Sequence, residues 1–129
     1  FDEAEVIAMS ASVFLRQGYE GTSIDDLLAA TGLHRGSLYK AFASKRGLFL
    51  AALTRTLPDL TAGQATQATQ AAPAADDALD LLLVALLELA PRDPEVRALC
   101  AAALAHLSPD QAADLLGQRL LARAHLASH

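Results

Sequence analysis

Thr22-Ser-Ile-Asp-Asp-Leu-Leu-Ala-Ala-Thr-Gly-Leu-His-Arg-Gly-Ser-Leu-Tyr-Lys-Ala-Phe-Ala-Ser-Lys-Arg46 is the stretch whose reading decides the fold. Thr22 or Ser23 can cap a short helix whose first turn holds Asp25 and Asp26, acids suited to the positive end of a helix dipole. Ile24, Leu27 and Leu28 share its inner face, and Gly32 ends it, because glycine takes the left-handed cap conformation without steric cost. The turn Thr31-Gly32-Leu33, with Leu33 plugging the corner, leads to a second short helix from about residue 34 to Phe42 that buries Leu38 and Phe42. Two short helices joined this way form a helix-turn-helix. The second helix leaves His34, Arg35, Ser37, Tyr39 and Lys40 outward. A DNA major groove admits one helix whose leading residues reach base edges, and Arg, Lys, Ser and His supply donors there. The expected base contacts are His34, Arg35, Gly36, Ser37 and Lys40, with Gly36 leaving room for close approach. The expected phosphate contacts are Thr22 and Ser23 at a helix N-terminus, with Tyr39 and Lys45 on the flanks.

Helical spacing extends in both directions from this motif, and no stretch alternates in the manner of a strand, so the fold is expected to be all-α. A first helix from about Asp2 to Gln17 carries Val6, Met9, Val13 and Phe14 on one stripe, with Gly18 placed to end it. After the motif, Ser44 can cap a fourth helix carrying Leu48, Phe49, Ala52, Leu53 and Leu57, which Pro58 is expected to end or kink. Residues 61–75 are rich in Ala, Thr and Gln without a large apolar side chain, and read as a linker or weakly anchored helix. Beyond them, Leu79, Leu82, Leu83, Leu86, Leu87 and Ala90 form a helical stripe, while Leu81, Val84 and Leu89 lie off it, so this helix needs cover on more than one side. Asp93-Pro94-Glu95 and Ser108-Pro109-Asp110-Gln111 are two further helix starts, each a capping residue followed by a first-turn proline. The helices they open carry Val96, Leu99, Cys100, Ala103, Leu104 and Leu107, then Ala112, Leu115, Leu116 and Leu120.

Charge is distributed unevenly. The 129 residues carry a net charge of −5, yet residues 35–55 hold Arg35, Lys40, Lys45, Arg46 and Arg55 with no acid, between acidic flanks. A confined basic island in an acidic protein is what a local phosphate-contacting surface requires. With 53% hydrophobic residues the chain is not disordered as a whole, and with 7 Gly and one Cys it is neither collagen-like nor a disulfide scaffold. The lone Cys100 fits a reducing compartment and reads as an inert core thiol. The opening Phe1-Asp2-Glu3-Ala4-Glu5 lacks the basic-then-apolar layout of a signal peptide, and Asp80 and Glu88 interrupt the most apolar run, so a cytoplasmic protein without a membrane span is expected. His125 and His129 are spaced as a metal pair, but with no acid or Cys beside them they read as polar tail residues, and His106 reads as a partly covered helix residue. No metal, cofactor or catalytic set is expected: the sequence offers no glycine-rich phosphate cradle and no Ser/His/acid arrangement, so it does not read as an enzyme.

The run through Phe14, Gly18-Tyr19, Gly21-Thr22-Ser23, Ile24, Leu27-Leu28, Gly32, Gly36-Ser37-Leu38-Tyr39, Phe42, Ser44-Lys45 and Leu48-Phe49 resembles the TetR family of bacterial transcriptional regulators. The resemblance covers about residues 4–55 and extends less specifically to Leu82–Leu104. It implies a three-helix DNA-binding head over residues 1–44. Residues 45–129 would be a linker helix with a helical domain that dimerises and binds a small effector. In the family, positions matching Arg35, Gly36, Ser37, Tyr39 and Lys40 face DNA, and the position matching Lys45 holds phosphate. The expected protein is a homodimeric repressor on a palindromic operator, released by a small apolar effector. Leu99, Ala103, Leu115, Leu116 and Leu120 are then candidate dimer contacts, and Leu83, Leu86 and Leu87 candidate pocket residues. The short interval between Pro58 and Leu79 departs from the family by leaving fewer helices to wall a pocket. The rival reading is a helical interaction or ligand-binding module without DNA binding, against which the basic residues of the reading helix stand.

Overall fold

A computed structural model describes residues 1–66 and 72–126, and among these residues every regular element is helical. In chain order they are α1 (Glu3–Gln17), α2 (Ile24–Thr31), α3 (Arg35–Phe42), α4 (Lys45–Thr66), α5 (Ala72–Val84), a π-helical segment (Ala85–Leu89), α6 (Pro94–Leu104) and α7 (Pro109–Arg123). Two compact units result, Phe1–Arg55 and Thr56–His129, and the division between them falls inside α4.

In the first unit the Asp2 side chain caps α1 by accepting from the Ala4 N–H at 3.0 Å. The buried stripe of α1 is Val6, Ile7, Ser10, Val13 and Phe14, so Ile7 and Ser10 join the expected set, while Met9 is half-buried. Ser23, rather than Thr22, caps α2. Its hydroxyl accepts from the Asp26 N–H and the Asp26 carboxylate accepts from the Ser23 N–H, both at 3.0 Å, a reciprocal capping box. Gln17 adds a tie from the end of α1, its side-chain amide donating to the Gly21 carbonyl and to Asp26, each at 3.0 Å. At the far end of α2, Gly32 adopts φ 76 and returns its N–H to the Leu28 carbonyl. From α4, Leu48, Phe49, Ala52 and Leu53 enter the core, and the Ser44 hydroxyl accepts from the Gly47 N–H at 2.9 Å. Leu57 is half-buried, and α4 neither stops at Pro58 nor before it but runs on to Thr66. Of the two expected outcomes, an end or a kink, the end is thereby corrected: a proline removes one backbone donor and crowds one carbonyl, a local cost that a long helix can span.

The capping box sets a pH dependence. The Ser23 N–H, then the Gln17 amide and the Ser23 hydroxyl, hold the Asp26 carboxyl below the usual carboxylate range. A depressed folded value gives a contribution that is complete above the ordinary Asp range and lost as pH falls through the folded value. Asp26→Asn is therefore expected to melt earlier than the parent at neutral pH, with the difference closing below about pH 4. Thermal melts of both proteins across that range check it.

In the second unit the two expected starts are present. The Asp93 side chain accepts from the Val96 N–H ahead of Pro94, and Ser108 with Gln111 forms a second capping box ahead of Pro109. The middle of the unit differs from the helical stripe. Ala78 to Ala85 are buried all round, then Leu86 is half-buried, Leu87 is 64% exposed, and Leu89 and Ala90 are buried. The cause is the π-helical turn, in which the Ala90 N–H reaches back five residues to the Ala85 carbonyl at 2.8 Å. The extra residue in that turn rotates everything after it, so Leu89 takes the inward place expected of Leu87. Arg97 closes the turn to α6 by donating to the Ala90 and Pro91 carbonyls at 3.0 and 3.2 Å. α5 packs against α7, and Arg119 grips the nearly buried Asp80 through two bonds of 2.6 and 2.9 Å. Desolvation, followed by repulsion from Asp80 and Asp76, raises the Asp77 carboxyl above its usual range beside this pair.

Candidate nucleic-acid interface

The candidate reading helix, α3, is built from the inside out. Leu38, fully buried, and the half-buried Phe42 anchor α3 to the unit's core. The corner before it is locked locally: the Thr31 hydroxyl donates to the Leu27 carbonyl at 2.8 Å and accepts from the Leu33 N–H at 3.3 Å. With Leu38 fixed inward, helical geometry turns the other side of α3 outward. His34, Arg35, Gly36, Tyr39 and Lys40 are exposed, and Ser37 is half-buried. A methyl group added at Gly36 would meet nothing within 4 Å, so an outside surface can approach the backbone there. Each of the five expected base-reading residues is thus at least partly accessible, Ser37 the least of them.

The expected phosphate contacts separate. Ser23 is exposed at the start of α2, and Tyr39 is 42% exposed beside the reading face. Thr22 is buried, its hydroxyl donating to the Gly18 carbonyl at 2.6 Å and its N–H to the Tyr19 carbonyl at 3.2 Å, so both of its donors are spent inside. Lys45 is also turned inward. Its ammonium donates to the Tyr19 and Thr22 carbonyls at 3.0 and 3.1 Å and stands 4.2 Å from the centroid of the Tyr19 ring. That ring belongs to an aromatic cluster with Phe14 and Phe49, centroids 5.1 to 6.0 Å apart. Basicity and position beside the motif pointed Lys45 at phosphate, and nothing in the spacing signalled its aromatic seat. A further residue escaped sequence reasoning: Asp25, on α2, pairs with Arg35 on α3. No periodic signal links positions in two different helices.

The C-terminal candidates fall into two groups. Leu83 is buried, Leu86 half-buried and Leu87 exposed, a gradation that follows from the π-helical turn. Leu99, Ala103, Leu115 and Leu116 are half-buried and Leu120 is 44% exposed, and α7 has no fully buried residue despite its leucines. Burial pushes the Cys100 thiol up to about 11, which leaves it protonated and inert at neutral pH. Of the His125–His129 pair, His129 lies outside the described residues. Among the described residues no His, Cys, Asp and Glu group of three or more is placed to hold a metal, and no described helix is long and apolar enough to cross a membrane.

Comparison with known proteins agrees with this geometry in the first unit. Residues 6–52 match the model of the family described as bacterial regulatory proteins, tetR family. The chain is 49% identical over 53 residues to an uncharacterized HTH-type transcriptional regulator, YezE of Bacillus subtilis, covering 41% of this chain and 27% of that protein. It is 39% identical over 62 residues to the HTH-type transcriptional repressor ComR of Escherichia coli, covering 48% of this chain and 30% of that protein. It is 31% identical over 59 residues to the HTH-type transcriptional activator FasR of Mycolicibacterium smegmatis, covering 46% and 27%. The chain therefore spans under a third of the length of each of these relatives. No solved structure matches it.

Proposed function

We propose that this chain, whose residues 6–52 match the model of the bacterial regulatory proteins of the tetR family, is a transcriptional regulator that binds double-stranded DNA by sequence. The observation that carries the reading is that α3 buries Leu38 while leaving His34, Arg35, Gly36 and Lys40 exposed and Ser37 half-buried. An exposed helix with basic and hydroxyl donors has the size and chemistry of a major-groove reader. Ser23 and Tyr39, accessible on either side, suit phosphate contacts that fix its register. Catalysis has no candidate residues in this reading.

The functional species is a homodimer on a palindromic operator, with half-sites about one helical turn or a multiple apart. Half-buried Leu115 and Leu116 and exposed Leu120 on α7, with Leu99 and Ala103 on α6, support a surface that a second copy covers. The output is repression, since a dimer seated over a promoter blocks it by occupancy alone. Release by a small apolar effector draws no support from Leu83, Leu86 and Leu87, which differ from buried to exposed.

Selection of bound fragments from random duplexes at two salt concentrations tests the reading. Recovery of a palindromic consensus is the expected result, and recovery of random sequence favours the rival interaction module. Lys40→Ala is then expected to lose about 1–3 kcal/mol of discrimination at one base pair of each half-site. Equal losses on operator and random DNA would reduce Lys40 to a phosphate contact.

A further inference from the structure

The two adjacent acids in the first turn of α2 do different work. Asp26 is spent on the capping box and on Gln17. Asp25 reaches across the helix-turn-helix and accepts from Nη2 of Arg35. Arg35 is the first residue of α3, a helix with no acid in its first turn and no side-chain cap from His34. A cation at that end of a helix is electrostatically misplaced, and Asp25 supplies the counter-charge that α3 itself lacks. Both side chains remain accessible, 53% exposed for Arg35 and 79% for Asp25. An ion pair so open to water adds little to stability. Its effect falls on Arg35 instead: a long, rotamer-rich side chain at the start of α3 is held through one nitrogen of its planar fork while about half of it stays open to solvent.

We propose that Asp25 is a positioning residue for DNA reading. It orients the Arg35 guanidinium to donate to the O6 and N7 edge of a guanine in each half-site, the acceptor pair that this fork matches. It also neutralises Arg35 locally, so that the side chain adds little to indiscriminate phosphate attraction. This inference rests on the DNA-binding function proposed above.

The test uses the full chain, the selected operator, operators in which each half-site guanine is replaced in turn, and a random duplex, with affinity read by fluorescence anisotropy at several salt concentrations. The guanine in question is the one whose replacement ceases to matter in Arg35→Met. The parent is expected to lose about tenfold in affinity when that guanine is replaced. Asp25→Asn is expected to shrink the loss to about threefold, to tighten binding to the random duplex, and to steepen its salt slope by about one per monomer as the released Arg35 meets a phosphate. In the Arg35→Met background, Asp25→Asn should leave base preference unchanged, and Asp25→Glu in the parent should restore part of it. Thermal melts establish that each variant is folded.

Tightening by the same factor on every duplex, with Arg35 present or absent, would make Asp25 a bulk charge and overturn the proposal. An undiminished guanine preference in Asp25→Asn would overturn it too. A parent chain that does not distinguish operator from random duplex fails the DNA-binding reading itself, and that failure is visible before any variant is compared.

Discussion

Phe14→Ala is expected to cost the N-terminal unit about 3–5 kcal/mol and to abolish DNA binding with it, because a large aromatic is removed from a core too small to collapse around the gap. Phe14 is fully buried, meets Phe49 edge-on with centroids 5.1 Å apart, and stacks beside Tyr19 at 6.0 Å. It therefore joins α1, α4 and the loop before α2 at one point. A unit the size of Phe1–Arg55 buries only about 60% of its unfolded surface, so its total stability is modest and a loss of this size is comparable to the whole. The chain suits the measurement. It has no Trp and two Tyr, and both Tyr19 and Tyr39 lie in the first unit, so tyrosine fluorescence reports unfolding of that unit alone. Urea titration of the full chain should move the fluorescence midpoint far downward. A shift worth less than about 1 kcal/mol would mean that the aromatic cluster is not the centre of the core.

Where the sequence was legible, the determining physics was local. A capping residue followed by proline marks a helix start within four residues, so Asp93-Pro94 and Ser108-Pro109 could be read directly and both open helices. The same holds for Gly32, whose left-handed conformation ends α2, and for the Leu38 spacing that gives α3 an outer face. Reading failed where a bond depends on what another element brings alongside. The π-helical turn at Ala85–Leu89 carries no Gly or Pro to announce it, and it leaves Leu87, a member of the expected stripe, exposed while Leu89 is buried. Pro58, read as an end or a kink, does not end α4, which continues to Thr66. Ala43 takes φ 73 at the end of α3, a conformation for which glycine would be the expected residue. On the reading face, side-chain type and exposure were legible, whereas the Asp25–Arg35 pair joins residues ten apart in sequence across a turn.

Lys45 is the residue where a chemical reading and a packing reading part most clearly. Lys45→Met is expected to lower the stability of the N-terminal unit by about 2–3 kcal/mol in the absence of any DNA, from two lost charge-assisted hydrogen bonds and a lost cation–π contact. The ammonium bridges the Tyr19 and Thr22 carbonyls and lies over the Tyr19 ring, tying the start of α4 to the segment between α1 and α2. Methionine keeps the apolar length of the side chain, so the loss measures the charged end rather than a cavity. With both carbonyl bonds and the ring occupying the ammonium, its first duty is to fix the start of the helix that follows α3. Fluorescence-detected urea unfolding gives the stability change. On the folded variant, the salt dependence of duplex binding separates a second duty: a Lys45 that also met a phosphate would take about one from the slope per monomer. Unchanged stability together with a lower slope would make Lys45 a phosphate ligand and the aromatic seat incidental. A lower stability with an unchanged slope would make it the internal brace that the carbonyl bonds describe.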